Sequence, residues 1–286
     1  MRAHHFSELA MDKHVTALDN SMQGIPDPIF FTVGNSGYDE LMANFMCNMK
    51  IFPPIHKHLL VALLDDTSAE YISTFSDSAT ILSLGNDEAS SAAEYNTMQY
   101  RELMLTRGLL LLRVLQTAKK QNKTVIWVEP DMLYTQNLLM MEDLMKPNTD
   151  ISFMWDYGTE CGCFIRFPPT DASIMLYREV MKRMQPSALS FTSKHDQDLL
   201  KEVIEEQDSN SKIKINILDP CTYRSGNYLI SGFPDDRHTQ CSPDAIPAVQ
   251  HLNWIVGIES KIQTAKNIKG WFLSEDKTTC ALHHIH

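Results

Sequence analysis

Glu129-Pro130-Asp131 places two carboxylates two positions apart, directly after the apolar run Thr124-Val-Ile-Trp-Val128. That run is β-branched and aromatic and follows a long helical pattern, the order of a buried strand in a parallel sheet. Pro130 has no N–H to give a central ladder, so the strand should end at Glu129. In open α/β sheets, ligands bind outside the carboxyl ends of the strands. Paired acidic side chains there suit a hard divalent cation and, through it, a diphosphate. The same residues also fit a plainer role, an acidic turn that closes a strand.

The cysteines are the other candidates for chemistry. There are six: Cys47, Cys161, Cys163, Cys221, Cys241 and Cys280. Cys161-Gly162-Cys163 has no second pair at zinc-finger spacing, which argues against a structural zinc site. The even count fits a disulfide or two in an oxidising compartment, with fifteen possible connectivities if all pair. Buried free thiols are the alternative. One glycosylation triplet, Asn122-Lys-Thr124, precedes the central strand and is weak evidence of secretion.

The elements that would position these residues alternate. Residues 1–25 carry no clear period and read as a lead-in. Pro28 to Val33 reads as a first strand, closed by Gly34-Asn-Ser-Gly37, and a helix follows with Leu41, Phe45 and Met49 on one face. His58 to Leu64 and Thr80 to Leu84 read as further strands. A long helix is expected over about 92–121, with Arg107 on its flank, then the central strand. Strands are also expected at Asp150–Trp155, Cys163–Phe167 and Ile213–Leu218, with helices over about 171–184 and 196–207. This succession predicts an α/β fold, a mostly parallel sheet flanked by helices in a single domain. The domain should span 26–275, ahead of a short tail, 276–286, that includes His283, His284 and His286.

Composition narrows the function. A chain of 286 residues with 43% hydrophobic content can bury one large core. A net charge of −11 opposes nucleic acid as a partner, since phosphate backbones need a basic surface. It does not oppose a nucleotide held through a metal. No run of eighteen apolar residues is present, and the N-terminus lacks the apolar segment of a signal peptide. The chain is then cytoplasmic or has lost a targeting segment.

Several spaced signatures together resemble the nucleotide-diphospho-sugar transferase family, glycosyltransferases with the GT-A fold, over roughly 28–272. Thr32, Asn35, Ser36 and Gly37 are similar to its nucleotide-side loop. Arg107 stands where the family carries a basic residue, and Glu129-Pro-Asp131 where it carries Asp-x-Asp. Gly162 and Phe164 match its small-residue-then-aromatic strand, and Asp196-Gln197 its Asp-Gln pair. His251-x-Asn253-Trp254-x-x-Gly257-x-x-x-Lys261, followed by Gly270-Trp271, is similar to its closing motif.

The resemblance implies a metal-dependent enzyme that moves a sugar from a nucleotide-diphosphate donor to a hydroxyl of a glycan or glycoprotein, with retention of configuration. Glu129, Asp131 and His251 would hold Mn²⁺ or Mg²⁺, the mixed shell favouring Mn²⁺. Thr32, Asn35, Arg107, Glu129, Asn253, Gly257 and Lys261 would contact the nucleotide side. Asp156, Asp196 and Gln197 would face the sugar. It also implies the Golgi lumen and an N-terminal membrane anchor absent from this chain. Blander roles compete. Arg107 and Lys261 also read as solvated helix charges, Asp196 as a capping residue, and the four tryptophans as core or wall. Glu129 is a methylene longer than the family's first Asp, and Cys161 replaces the usual Asn or Thr before Gly162. The rival function is therefore a diverged, non-catalytic module that binds a glycan or protein. A third is a cytosolic α/β phosphate hydrolase, which leaves the His-Asn-Trp motif unexplained.

Overall fold

Ile29–Gly34 is buried at all six positions, as a strand with neighbours on both edges and layers on both faces must be. The computed structural model describes residues 17–85, 93, 97–187, 194–209, 213–231, 241–242 and 245–282. This first strand, β1, pairs in parallel with β2 (Leu59–Leu63) on one side and β4 (Val125–Trp127) on the other. β3 (Thr80–Ser83) extends the β2 edge. Beyond β4 come β7 (Thr159–Phe167), β6 (Ile151–Asp156) and β8 (Ile215–Ile217), giving the order β3-β2-β1-β4-β7-β6-β8. β7 runs antiparallel to both neighbours because it is the return arm of a hairpin with β6. A small second sheet has the order β5-β10-β9, from Met132–Tyr134, Val249–His251 and Tyr223–Arg224.

Alternation along the central strands divides the core in two. Phe31, Leu60 and Trp127 point to the face covered by the helices Met98–Lys120, Asp171–Ser187 and Asp196–Ser209. Phe30, Val61 and Ile126 point to the other, covered by Asp39–Lys50 and Asp66–Ser73. Helix Asp39–Lys50 also anchors the small sheet and the segment after the last helix, each through a buried asparagine. Asn48 exchanges hydrogen bonds with the Tyr134 backbone (2.9 and 2.6 Å), and Asn44 does so with Gly270 O and Phe272 N (3.0 and 2.6 Å). Pairing both ends of each amide removes the cost of burying it.

β1 has its partners on opposite sides, so the crevice between the carboxyl ends of β1 and β4 is a topological switch point. Glu129 and Asp131 lie there.

Some expectations need correction. The lead-in is not loose at its end. Residues 17–23 are helical, Leu18, Met22 and Ile25 are buried, and Lys123 Nζ donates to the carbonyls of Met22 and Ile25 (2.7 Å each). The tail is tied down as far as residue 282 by the Cys47–Cys280 disulfide. The described cysteines all pair, with Cys221–Cys241 and Cys161–Cys163 completing the set. The long helix begins at Met98; most of 92–96, and the three terminal histidines, lie outside the described residues. β5, β9 and β10 are too short to show a period, and all three escaped the pattern reading.

Candidate active site

Val128 N donates to Phe31 O (3.0 Å), so the chain leaves β4 still paired to β1 and then turns at Pro130. β5 follows at once and pairs antiparallel with β10, which sets His251 opposite Met132. Leu252 N donates to Asp131 O (3.1 Å) and fixes that corner. In this way a histidine 120 positions away arrives beside the acidic pair. His251 Nε2 lies 3.1 Å from Asp131 Oδ1 and 3.4 Å from Glu129 Oε2. Glu129, Asp131 and His251 each offer one atom able to bind a metal ion, and these three atoms fall within 4.8 Å of one another.

Two cations complete the cluster. Arg107 Nη2 donates to Glu129 Oε1 at 2.6 Å, with its guanidinium 5.0 Å above the Trp127 ring. Lys261 Nζ donates to Asp131 Oδ2. Gly257, at φ +89°, opens the helix Ile258–Asn267 and lets it start close to β10, one turn before Lys261. Arg107 is no solvated charge: its side chain is 15% exposed.

The electrostatics follow from burial and partners. Burial raises the Asp131 carboxyl, but Lys261 and His251 outweigh it and hold the group well below the usual carboxylate range. Glu129 is lowered too, with Arg107 overcoming the desolvation. His251 would fall through burial, yet Asp131 and Glu129 lift it to about 9. The site is an anionic nest that already holds protons and ammonium groups as counter-charges.

A cavity of about 110 Å³ opens against this cluster. Gly34, Asn35 and Tyr38 line one wall, Tyr100 and Arg107 another, and Glu129, Asp131 and Lys261 the floor. Asp65 braces the first wall: its carboxylate accepts from Ser36 N (2.9 Å) and Ser68 N (2.8 Å). Thr32 does not reach the cavity, being fully buried inside β1.

Asp156, at the end of β6, is buried and held by neutral donors. Trp254 Nε1 (2.8 Å) and the Ser225 hydroxyl donate to Oδ1, and Gln197 Nε2 (3.4 Å) to Oδ2. Gln197 Oε1 accepts from Gly162 N (3.3 Å), and Asp196 Oδ2 lies about 4.0 Å from where a Gly162 Cβ would stand. Burial raises the Asp196 carboxyl, with Arg107 opposing. Asp156, Asp196 and Gln197 thus come together. Asn253 does not join the cavity, since its Oδ1 accepts from Gly226 N (2.6 Å).

Cys161 Sγ lies 4.0 Å from His251 Nδ1, but Cys161 is bonded to Cys163 and offers no thiolate. Sequence reading passed over Tyr38 and Ser225. Tyr38 follows the Asn35-Ser-Gly37 turn directly, a signal that was present; Ser225 lay in a segment with no period to read.

The sequence model of the nucleotide-diphospho-sugar transferase family matches residues 54–264, well over half of the chain. The protein belongs to this family. Its mixed α/β architecture is the GT-A fold, shared at low identity with solved enzymes. GlyE, a glycosyltransferase of Streptococcus pneumoniae TIGR4, aligns with a TM-score of 0.50 and 10% identity over 88% of this chain. The chain spans 66% of GlyE, just under two thirds of its length. The galactosyltransferase LgtC, solved with donor and acceptor sugar analogues, aligns at 0.51 and 11% identity, over 79% of this chain and 87% of LgtC. No curated protein sequence matches the chain.

Proposed function

We propose that the protein transfers a sugar from a nucleoside-diphosphate donor to a hydroxyl of a glycan or glycoprotein, in a reaction dependent on a divalent ion and retaining at the anomeric carbon. The convergence of Glu129, Asp131 and His251, each with one metal-binding atom within 4.8 Å of the others, carries this reading; the two carboxylates line the switch-point cavity and His251 stands behind them. Two carboxylates and an imidazole are a donor set that suits a divalent ion, Mn²⁺ before Mg²⁺. Such an ion supplies Lewis acidity toward a departing diphosphate.

The chain's own residues do the rest. Lys261 Nζ pairs with Asp131 among the described residues and lines the cavity, where it exchanges that carboxylate for a phosphate oxygen as charge develops. Arg107 keeps Glu129 ionised and oriented. Asn35 and Tyr38 form the wall for the nucleoside. Asp156, Asp196 and Gln197 face the sugar, and the carboxylates stabilise positive charge at its anomeric carbon. Retention rests on the family resemblance. The catalytic unit is residues 26–275, braced by the segments on either side. Three disulfides favour an oxidising compartment, and the secretory pathway, with the Golgi lumen first, fits them. Among the described residues no helix is long and apolar enough to cross a membrane, so any tether lies outside them.

Calorimetry of UDP and GDP, with and without Mn²⁺, tests the reading on the wild type and Asp131→Ala. One nucleotide should bind only with the ion, and the variant should lose that binding. Failure of both nucleotides on folded wild type, under any divalent ion, would move the assignment to a non-catalytic binding module.

A further inference from the structure

Trp254 is 52% exposed and Tyr157 55%, whereas Trp127 is 4% exposed. The two exposed rings meet edge to face, with centroids 5.9 Å apart and planes at 78°. They come from separate elements, Tyr157 from the turn between β6 and β7 and Trp254 from the loop after β10. Both have left-handed backbone, φ +28° for Tyr157 and +66° for Trp254. For bulky residues that conformation is uncommon and has to be held by its surroundings.

Here the surroundings are specific. Trp254 Nε1 is tied to Asp156 Oδ1 at 2.8 Å. The preceding residue, Asn253, accepts from Gly226 N at 2.6 Å, and its Oδ1 lies 3.3 Å from the Ser225 Oγ that donates to Asp156. Gly226 is packed so closely there that a Cβ would lie 1.9 Å from Asn253 O. The indole is therefore fixed in place while about half of it faces water. Neither ring borders the nucleotide cavity.

We propose that Tyr157 and Trp254 form an aromatic platform for a pyranose ring of the acceptor, a deepening that rests on the transferase function proposed above. Aromatic side chains with one edge hydrogen-bonded and the other surface wet suit ligands that have an apolar face and a polar rim. A pyranose has both, with axial C–H groups on one face and hydroxyls around its edge. Asp156, whose Oδ1 holds the indole N–H, ties the platform to the group that faces the transferred sugar. Holding the rings rigid beforehand lowers the ordering cost on binding. The rings stand outside the cavity lined by Asp131 and Lys261, the side proposed for the donor's diphosphate, and on that separation the platform is assigned to the acceptor.

Saturation-transfer NMR with the methyl pyranosides of glucose, galactose, mannose and xylose tests this, on the whole chain with and without Mn²⁺ and nucleotide. At least one glycoside should receive saturation mainly on the C–H protons of one ring face. Trp254→Ala should weaken it about tenfold or more and Tyr157→Ala by a smaller factor. Trp254→Phe, which keeps an aromatic face, should retain most of the binding. An unchanged affinity in Trp254→Ala, or no binding of any of the four to wild type, overturns the proposal. Displacement of the glycoside by a nucleotide sugar but not by the nucleotide alone assigns the platform to the donor and overturns it too. Nucleotide affinity is read separately by calorimetry. A chain that binds the pyranoside but no nucleotide would overturn the transferase function and leave the platform standing.

Discussion

His251 and His56 are equally buried, at 2% and 3% exposure, yet their imidazoles are driven in opposite directions. His56 closes the short helix Pro53–His56 before β2, at the amino ends of the parallel strands; His251 sits at the end that holds the cavity. Burial dominates at His56 and lowers it to about 4, with Asp77 only partly opposing. At His251 the same desolvation is outweighed by Asp131 and Glu129, and the ring rises to about 9. One end of the sheet treats a buried imidazole as an apolar filler, and the other as a cation. The difference comes from the Glu-Pro-Asp corner, which concentrates two carboxylates where a buried strand ends. A site that stabilises positive charge against full desolvation is suited to a metal ion and, through it, to a diphosphate.

The largest expected effect comes from removing that negative charge with little change of shape. Asp131→Asn should lower transfer by about a thousandfold or more, through loss of the ion, in a protein that remains folded. Steady-state rates with and without added Mn²⁺ check it. A variant that retained a tenth of wild-type activity would mean the anionic end is structural and the contrast with His56 carries no function.

Arg107→Met probes the balance of the same cluster. Glu129 would keep its burial and lose the partner that overcomes it. Removing one member of such a pair costs roughly 3–5 kcal/mol when deeply buried, and with side chains 15% and 24% exposed the cost should be nearer 2–3 kcal/mol after screening. Denaturant midpoints measure this. A loss under 0.5 kcal/mol would show that Arg107 is solvated after all.

How much of this was readable beforehand depended on period and on distance along the chain. The run ending at Val128 announces a strand because four apolar residues in sequence, Val125 to Val128, have nowhere else to go, and the same holds for β1 and β2. Glu129 and Asp131 were visible because they interrupt that run. The antiparallel direction of β7 was not, since pairing direction depends on a hairpin turn at Tyr157-Gly158 that leaves little trace in composition. The close approach of His251 to Asp131 rests on three-residue strands, β5 and β10, that are too short for any alternation to be counted. The disulfide at Cys161–Cys163 was hidden for a similar reason: adjacent odd positions on a strand share a face, but sharing a face does not say whether thiols bond. Trp254 was read as core or wall, and its exposure follows from a left-handed backbone that sequence does not reveal.

At the other end of the sheet, pH is the probe. His56 Nδ1 accepts from Ser78 N (3.3 Å), and Nε2 has no partner among the described residues, so the neutral ring fits and the charged one does not. Its folded-state pKa, about 4, lies below the ordinary 6.5. Between those values the unfolded chain binds the extra proton, so this contribution is complete above pH 6.5 and is lost as the pH falls toward 4. The loss at pH 5 should be about 2 kcal/mol, and His56→Gln should flatten the wild-type slope between pH 6.5 and 5. A slope that persists unchanged would assign it to the carboxylates.

The smallest effect should come from the frame around Asp156 and Trp254, where a backbone approach replaces ion pairs. Gly226→Ala places a Cβ 1.9 Å from Asn253 O and 2.8 Å from Asn253 Oδ1. Neither contact is with the free end of a long side chain, so the loop has to move. Overpacking of this kind costs about 1–3 kcal/mol, and the lower half is expected because Asn253 and Trp254 lie at the surface. The displacement should still loosen the Trp254–Asp156 hydrogen bond, while the Arg107–Glu129 and Lys261–Asp131 pairs, on other elements, stay in place. Mn²⁺-dependent nucleotide affinity should therefore remain within about threefold of wild type as the Trp254 fluorescence signal changes. Equal loss of both would mean that the ion-paired floor and the side around Asp156, held by neutral donors, move as one unit.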